Sequence, residues 1–126
     1  MSYYLEKYLN SKVDLNITSK EKNKGTKTFY TGYLRKISPH SIFFWDELSK
    51  KHWLTNAEIT ITFLHYFKIC KPKTDELPKA NVFCSKDYSF CNCYLVSVCD
   101  NAVEIITEKG KHIVLYGYST IIDLLE

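Results

Sequence analysis

Two stretches of this chain lie over each other without a gap, and that limits the fold more than any other feature. Tyr33 to Trp45 (Tyr-Leu-Arg-Lys-Ile-Ser-Pro-His-Ser-Ile-Phe-Phe-Trp) matches Tyr94 to Ile106. Tyr33 meets Tyr94, Leu34 meets Leu95, Ile37 meets Val98, Ile42 meets Val103 and Phe44 meets Ile105. Pro39-His40 takes the turn position that Asp100-Asn101 takes later, and Glu47 to Lys51 matches the later charged turn at Glu108 to Lys111. An internal repeat of about half the chain means that one supersecondary unit is built twice. In the following strand, from Trp53 to Ile61, the two copies run out of phase by one residue, which predicts a bulge or slip there.

The unit is a β meander. Short β-branched and aromatic runs separated by turn residues read as strands. Asp100-Asn101 tolerates left-handed backbone, and Gly110 sits where the second turn needs it. Ile113, Leu115, Gly117, Ser119 and Ile121 fall on one strand face by period two. Earlier, Val13 to Thr18 alternates as a first strand, and Thr28 to Ser38 is a long second strand with Gly32 at a predicted bend. Ile42–Trp45, Trp53–Thr55 and Ala57–Phe67 complete the first unit. Tyr3, Tyr4, Leu5, Tyr8 and Leu9 have helical spacing, so a short N-terminal helix precedes it, with Ser2 as a possible cap and Glu6 nearby. The polar, Pro-bearing segment from Cys70 to Lys79 is the expected boundary. The organisation is therefore residues 1–70, a linker at 71–79, and residues 80–126. Units of this size bury little alone, so the two should pack together or oligomerise.

The 126 residues include ten Tyr, seven Phe and two Trp, a richness that favours β structure. A net charge of +3 permits an anionic partner without demanding one. Five cysteines without a secretory leader point to a reducing, intracellular setting, the cytoplasm or, in a eukaryote, the nucleus. No apolar run is long enough for a membrane span.

A short N-terminal helix followed by five bent strands resembles the Sm superfamily, which includes the Sm and LSm proteins and bacterial Hfq. Gly32 matches the Gly of the family's first motif. Asp100-Asn101-Ala102-Val103 resembles its Asp turn, and Val114 to Ile121 (Val-Leu-Tyr-Gly-Tyr-Ser-Thr-Ile) resembles the second motif of Hfq. The resemblance covers nearly the whole chain as two copies. It implies an all-β fold with one short N-terminal helix: two small five-stranded, strongly bent Sm-like (SH3-type) barrels in tandem. Sm folds pair by joining the fourth strand of one to the fifth of the next, which a tandem repeat can do within one chain. Three chains would then close a pseudo-hexameric ring.

The family's charged RNA contacts are missing. Leu115 and Tyr116 stand where Hfq has Lys and His, Thr55-Asn56 stands at the first unit's Arg-Gly position, and Cys93 replaces the bend Gly in the second unit. What survives is a set of turn residues that can stack on or bond to a base: His40, Asn56, Asn101, Tyr116, Gly117 and Tyr118. Lys20, Lys22 and Lys24, in a loop that is ordinarily just solvated, are candidate phosphate contacts.

Other chemistries are less well served. Cys84, Cys91, Cys93 and Cys99 lack zinc-ligand spacing, although Cys91 and Cys93 would share one strand face. The four histidines are scattered, and no triad, carboxylate pair or phosphate loop emerges. The expectation is a non-enzyme with no metal and no cofactor. Two functions fit: an Sm/Hfq-type RNA-binding protein acting in RNA metabolism on single strands with low sequence preference, or a non-catalytic scaffold. The scaffold would resemble the Gemin ribonucleoprotein assembly factors, keep the barrels and bind other Sm-like proteins. Phe43-Phe44-Trp45 and Trp53 are mostly core by alternation, but Phe43 and one Trp must point outward, a possible partner surface.

Overall fold

The structure is a computed structural model that describes residues 3–18, 27–64, 76–85 and 87–125. A 3-10 helix at Tyr4–Tyr8 leads into ten strands. They are β1 (Lys12–Thr18), β2 (Lys27–Ile37), β3 (Ser41–Asp46), β4 (Lys51–Thr55), β5 (Glu58–Phe63), β6 (Lys79–Ser85), β7 (Tyr88–Cys99), β8 (Ala102–Ile106), β9 (His112–Tyr116) and β10 (Ile121–Leu125). All join one antiparallel sheet in the order β10-β6-β7-β8-β9-β5-β1-β2-β3-β4. The predicted all-β class with a short N-terminal helix is what the described residues form. The helix starts from Tyr3, whose backbone N–H donates to Glu6 Oε1 at 2.8 Å. The expected cap, Ser2, lies outside the described residues, as do Lys20, Lys22, Lys24 and most of the predicted linker.

The repeat is visible in the hydrogen-bond register. Leu34 pairs with Phe44, and Leu95, 61 positions later, pairs with Ile105. A bulge falls between Leu34 and Lys36 in one half and between Leu95 and Ser97 in the other. The same offset continues through the next strand, where Ser41 pairs with Thr55 and Ala102 with Tyr116. The predicted one-residue slip in that strand is therefore wrong. Asn56 (φ 50°) and Gly117 (φ 80°) then take the turn at equivalent positions.

That turn also corrects the reading of Ile113 to Ile121 as one strand face. The chain breaks at Gly117 into β9 and β10, because the positive φ ends the extended run. Gly117 packs so closely that a Cβ would collide with the Ala57 carbonyl. Gly32 is similarly constrained: it pairs with Val13, and a Cβ there would run into the Trp45 carbonyl. In the second half, Cys93 takes the corresponding place opposite Ala80 and is fully buried.

Within each half the strand order is fifth, first, second, third, fourth. Alternation sends Val13, Leu15 and Ile17 of β1 inward, and Ala80, Val82 and Cys84 of β6 do the same in the second half. The halves are not separate sheets. β5 pairs with β9 (Ile59 with Tyr116, Thr60 with Leu115, Ile61 with Val114, Thr62 with Ile113) and carries the sheet across.

One face of β8 and β9 accordingly ends up inside the first half. Ala102, Val114 and Tyr116 belong to the core cluster built by Leu5, Tyr8, Leu15, Ile61 and Phe63. Val103, Ile105, Ile113 and Leu115 point the other way, into the second half's own core. Both strands are therefore buried on both faces. This explains why β8 and β9 read as continuous apolar runs rather than as alternating ones.

Burying that face requires its polar groups to be satisfied. Glu104 accepts hydrogen bonds at Oε2 from the Tyr8 hydroxyl and from His112 Nε2–H, and at Oε1 from Ser97 Oγ at 3.0 Å. Burial raises the Glu104 pKa, but the bonds from His112 and Tyr8 outweigh it and hold the carboxyl below its ordinary value. The His112 ring stacks on Phe63 with centroids 4.5 Å apart.

Candidate nucleic-acid interface

Three turns and the end of one strand meet at one rim of the junction between the halves. The β2–β3 turn supplies Pro39 and His40, the β4–β5 turn Asn56 and Ala57, and the β7–β8 turn Asp100 and Asn101; Tyr116 enters from the end of β9. Together they line a cavity of about 440 Å³.

Hydrogen bonds between the halves hold the turns in place. Asn101 Nδ2 donates to the Pro39 carbonyl at 2.8 Å, and the Tyr116 hydroxyl donates to the Ser38 carbonyl at 2.8 Å. The Tyr3 hydroxyl reaches the Asp100 carbonyl, and within the second half the Gly117 N–H donates to the Asn101 carbonyl at 2.8 Å. Asn56 and Asn101 both adopt left-handed backbone (φ 50° and 61°), a conformation their short polar side chains tolerate. The turn chemistry thus fixes where the candidate side chains sit.

The cavity gathers His40, Asn56, Asn101 and Tyr116, four of the residues predicted from sequence. His40, Asn56 and Asn101 are exposed at the rim. Tyr116 is a buried wall, only 2% accessible, and burial pushes its hydroxyl up to about 12. It presents an edge of the pocket rather than an open stacking platform. Gly117 supports the site through its bond to Asn101 without lining it. Tyr118 is elsewhere: its hydroxyl lies 3.1 Å from Thr60 Oγ1, and its ring packs toward Tyr88 in the second core. The polar lining can bond the edge of a flat heterocycle, and the His40 imidazole can stack on its face. Among the described residues the lining holds no Lys or Arg, and Asp100 adds a carboxylate to the rim.

Three residues of this site were not singled out from sequence. Pro39, Ala57 and Asp100 line the cavity because the β5–β9 pairing brings the turns of both halves to the same edge. The repeat alignment itself was the available signal, since it equates Pro39-His40 with Asp100-Asn101.

The cysteines lie apart in kind. Cys84 and Cys93 are buried, Cys99 is half-buried and Cys91 is exposed. The expectation that Cys91 and Cys93 share a face fails. Asn92 has φ 54°, and the register shifts between Ala80 and Val82, so a bulge turns Cys91 outward. Among the described residues no group of His, Cys, Asp or Glu is arranged to hold a metal. Among them, too, no helix is long and apolar enough to cross a membrane.

No protein-family model, curated protein or solved structure matches the chain.

Proposed function

We propose that the chain is an RNA-binding protein of the Sm type, built from two Sm-like barrels in tandem and acting in RNA metabolism inside the cell without catalysing a reaction. The observation that carries this reading is the cavity where His40, Asn56, Asn101 and Tyr116 converge. Further support comes from the order of strands in each half, and from the fifth strand of one half pairing with the fourth of the other, as the resemblance implies. The ligand that fits is a base of single-stranded RNA, held by edge bonds and stacking with low sequence preference. The oligomer implied by the resemblance, three chains in a closed ring, is part of the same proposal.

The test is a titration of short oligo-U and oligo-A at low salt with the wild-type chain, His40→Ala and Asn56→Ala. Both variants alter exposed turn residues and leave the core intact. The expected result is that each weakens binding several-fold for either oligomer. Unchanged binding in both would remove the cavity from the mechanism.

A second reading is favoured by Asp100, whose carboxylate sits on the rim of a cavity whose described lining holds no Lys or Arg. A phosphate chain is repelled there. In that reading the chain is a scaffold that binds other Sm-like proteins, and neither oligonucleotide binds even at low salt.

A further inference from the structure

A groove of about 400 Å³ runs along the outer face of β1 and shares no residue with the turn-lined cavity. Two rows of paired residues make its floor. Thr60 on β5 pairs with Asn16 on β1, and Asn16 with Phe29 on β2. Two residues along, Thr62 pairs with Asp14, and Asp14 with Thr31. Alternation turns Asp14 and Asn16 away from the core that Leu15 and Ile17 enter.

The banks of the groove are aromatic. Adjacent strands lie about 4.8 Å apart, so Phe29 on β2 stands roughly 10 Å from the row on β5. On the β5 side Tyr88 of the second half rests on Thr60, hydroxyl to hydroxyl at 2.8 Å. Phe90 packs edge-on against Tyr88 with centroids 5.2 Å apart. Phe29 has no core to fill: it is 69% exposed and lines the groove.

The floor between the banks offers acceptors. Asn16 Oδ1 is buried there without a hydrogen-bond partner among the described residues. Asp14 Oδ1 accepts from Thr31 Oγ1 at 2.5 Å, which uses one of the about four lone-pair positions of a carboxylate. Lys12, the cation on the same face of β1, turns to Glu47 at 3.6 Å. Among the described residues no Lys or Arg pairs with Asp14. A buried acceptor left without a donor is costly, and a donor from outside removes that cost.

We infer that this groove takes the guanidinium of an arginine side chain presented by a protein partner. A planar group is needed to enter between aromatic banks, and several donors to meet Asp14 and Asn16 together. Guanidinium carries its N–H donors in one plane, stacks on aromatic faces and is weakly hydrated, whereas a lysine ammonium is a strongly hydrated point charge. Phe29 stands at the open edge, where it can cover the methylene stem while the backbone of the partner stays outside. Lys111 also lines the groove, beside Ile113, and its ammonium opposes a cation. It tunes the site rather than holding the ligand. For a nucleotide the same lysine would be a phosphate partner, so its removal acts in opposite directions on the two ligands.

The test is a titration of the full chain with three capped tripeptides, Gly-Arg-Gly, Gly-Lys-Gly and Gly-citrulline-Gly, read from amide NMR shifts. The arginine peptide should shift the amides of Asp14, Asn16, Phe29 and Thr60. It should bind about tenfold tighter than the citrulline peptide, which keeps the shape and loses the charge. The lysine peptide should fall between them. Asp14→Asn and Phe29→Ala should each weaken the arginine peptide about fivefold, through the lost charge and the lost stacking face. Lys111→Met should tighten it. Phe29 and Lys111 are exposed and Asp14 is half-buried, so all three variants should keep the wild-type melt. Where one does not, the arginine–citrulline comparison on the wild-type chain decides alone.

Equal binding of arginine and citrulline, or no shift with any peptide, overturns the proposal. So does weaker binding of the arginine peptide in Lys111→Met. Adenosine monophosphate is the last arm. If it shifts the same amides where the arginine peptide does not, and Lys111→Met weakens it, the groove is a nucleotide site and the arginine proposal fails.

Discussion

The Tyr8 hydroxyl, in the first half of the chain, donates a hydrogen bond to Glu104, 96 residues away in the second. This bond, with the one from His112, lets a carboxylate sit at 0% exposure in the seam between the halves. It adds a directional polar contact to a seam that is otherwise largely apolar.

Breaking this network should be costly. Glu104→Ala removes the acceptor that the Tyr8 hydroxyl and His112 Nε2–H share, and each hydrogen bond lost to a charged group costs about 1.5–3 kcal/mol. Tyr8→Phe removes one donor and should cost about 1–3 kcal/mol. Urea unfolding at pH 7 followed by tryptophan fluorescence measures both. Equal, small effects from the two changes would mean that the seam is held by apolar packing alone.

The same group sets an acid limit. Glu104 is held below its ordinary pKa of 4.5 in the folded state. A carboxyl depressed by folding contributes its full stability above the unfolded value and loses it as pH falls through the folded value. The wild type should therefore lose urea resistance below about pH 4.5. Glu104→Gln should start less stable and show a shallower fall between pH 5 and pH 3.

The halves should not survive separation. Residues 79 to 126 alone would expose the face of β8 and β9 that carries Glu104, Val114 and Tyr116, all buried in the whole chain. A domain of this size is near the lower limit for a lone core. The fragment should aggregate or show no cooperative melt by circular dichroism, and a sharp melt would show that its own core suffices.

How much of this was readable in advance depends on how local the cause is. The repeat was legible because strand faces and turn residues are written in neighbouring positions. Pro39-His40 and Asp100-Asn101 could be equated on that basis, and the register agrees residue for residue. The bend at Gly117 was missed because period-two alternation runs on through it; only the close approach of the Ala57 backbone demands the glycine. Cys91 was misplaced because a bulge at Asn92 leaves no trace in alternation. The Glu104 network was invisible because its partners come from the far end of the chain. One clue stood in view: a glutamate inside the apolar run Ala102 to Ile106 needs a partner if the run is buried. The cavity was legible as residue types, but the convergence of two halves on it was a matter of topology.

Thiol chemistry offers an independent check on the bulge. Cys91 is exposed, whereas burial pushes the Cys84 thiol up to about 11 and raises Cys93 as well. A thiolate is the reactive form, so both buried groups are slow on two counts. At pH 8 a thiol reagent followed by peptide mapping should label Cys91 within the native protein. Cys84 and Cys93 should react only after unfolding. Rapid native labelling of Cys93 would mean that the bend of β7 opens.

Salt dependence separates the cavity from the lysine loop. If the chain binds RNA as proposed, Lys20, Lys22 and Lys24 can add only sequence-independent phosphate contacts. Each phosphate neutralised on a single strand contributes about 0.7 to the log–log salt slope. Replacing all three by Gln should lower the slope for oligo-U by up to about 2. His40→Ala should instead remove stacking worth about 1–3 kcal/mol and leave the slope unchanged. The measurement is fluorescence anisotropy of a labelled oligo-U at several salt concentrations. A flat slope in the wild type would show that the lysines touch no phosphate. A slope abolished by the lysine changes, together with full affinity in His40→Ala, would move the site from the cavity to the loop.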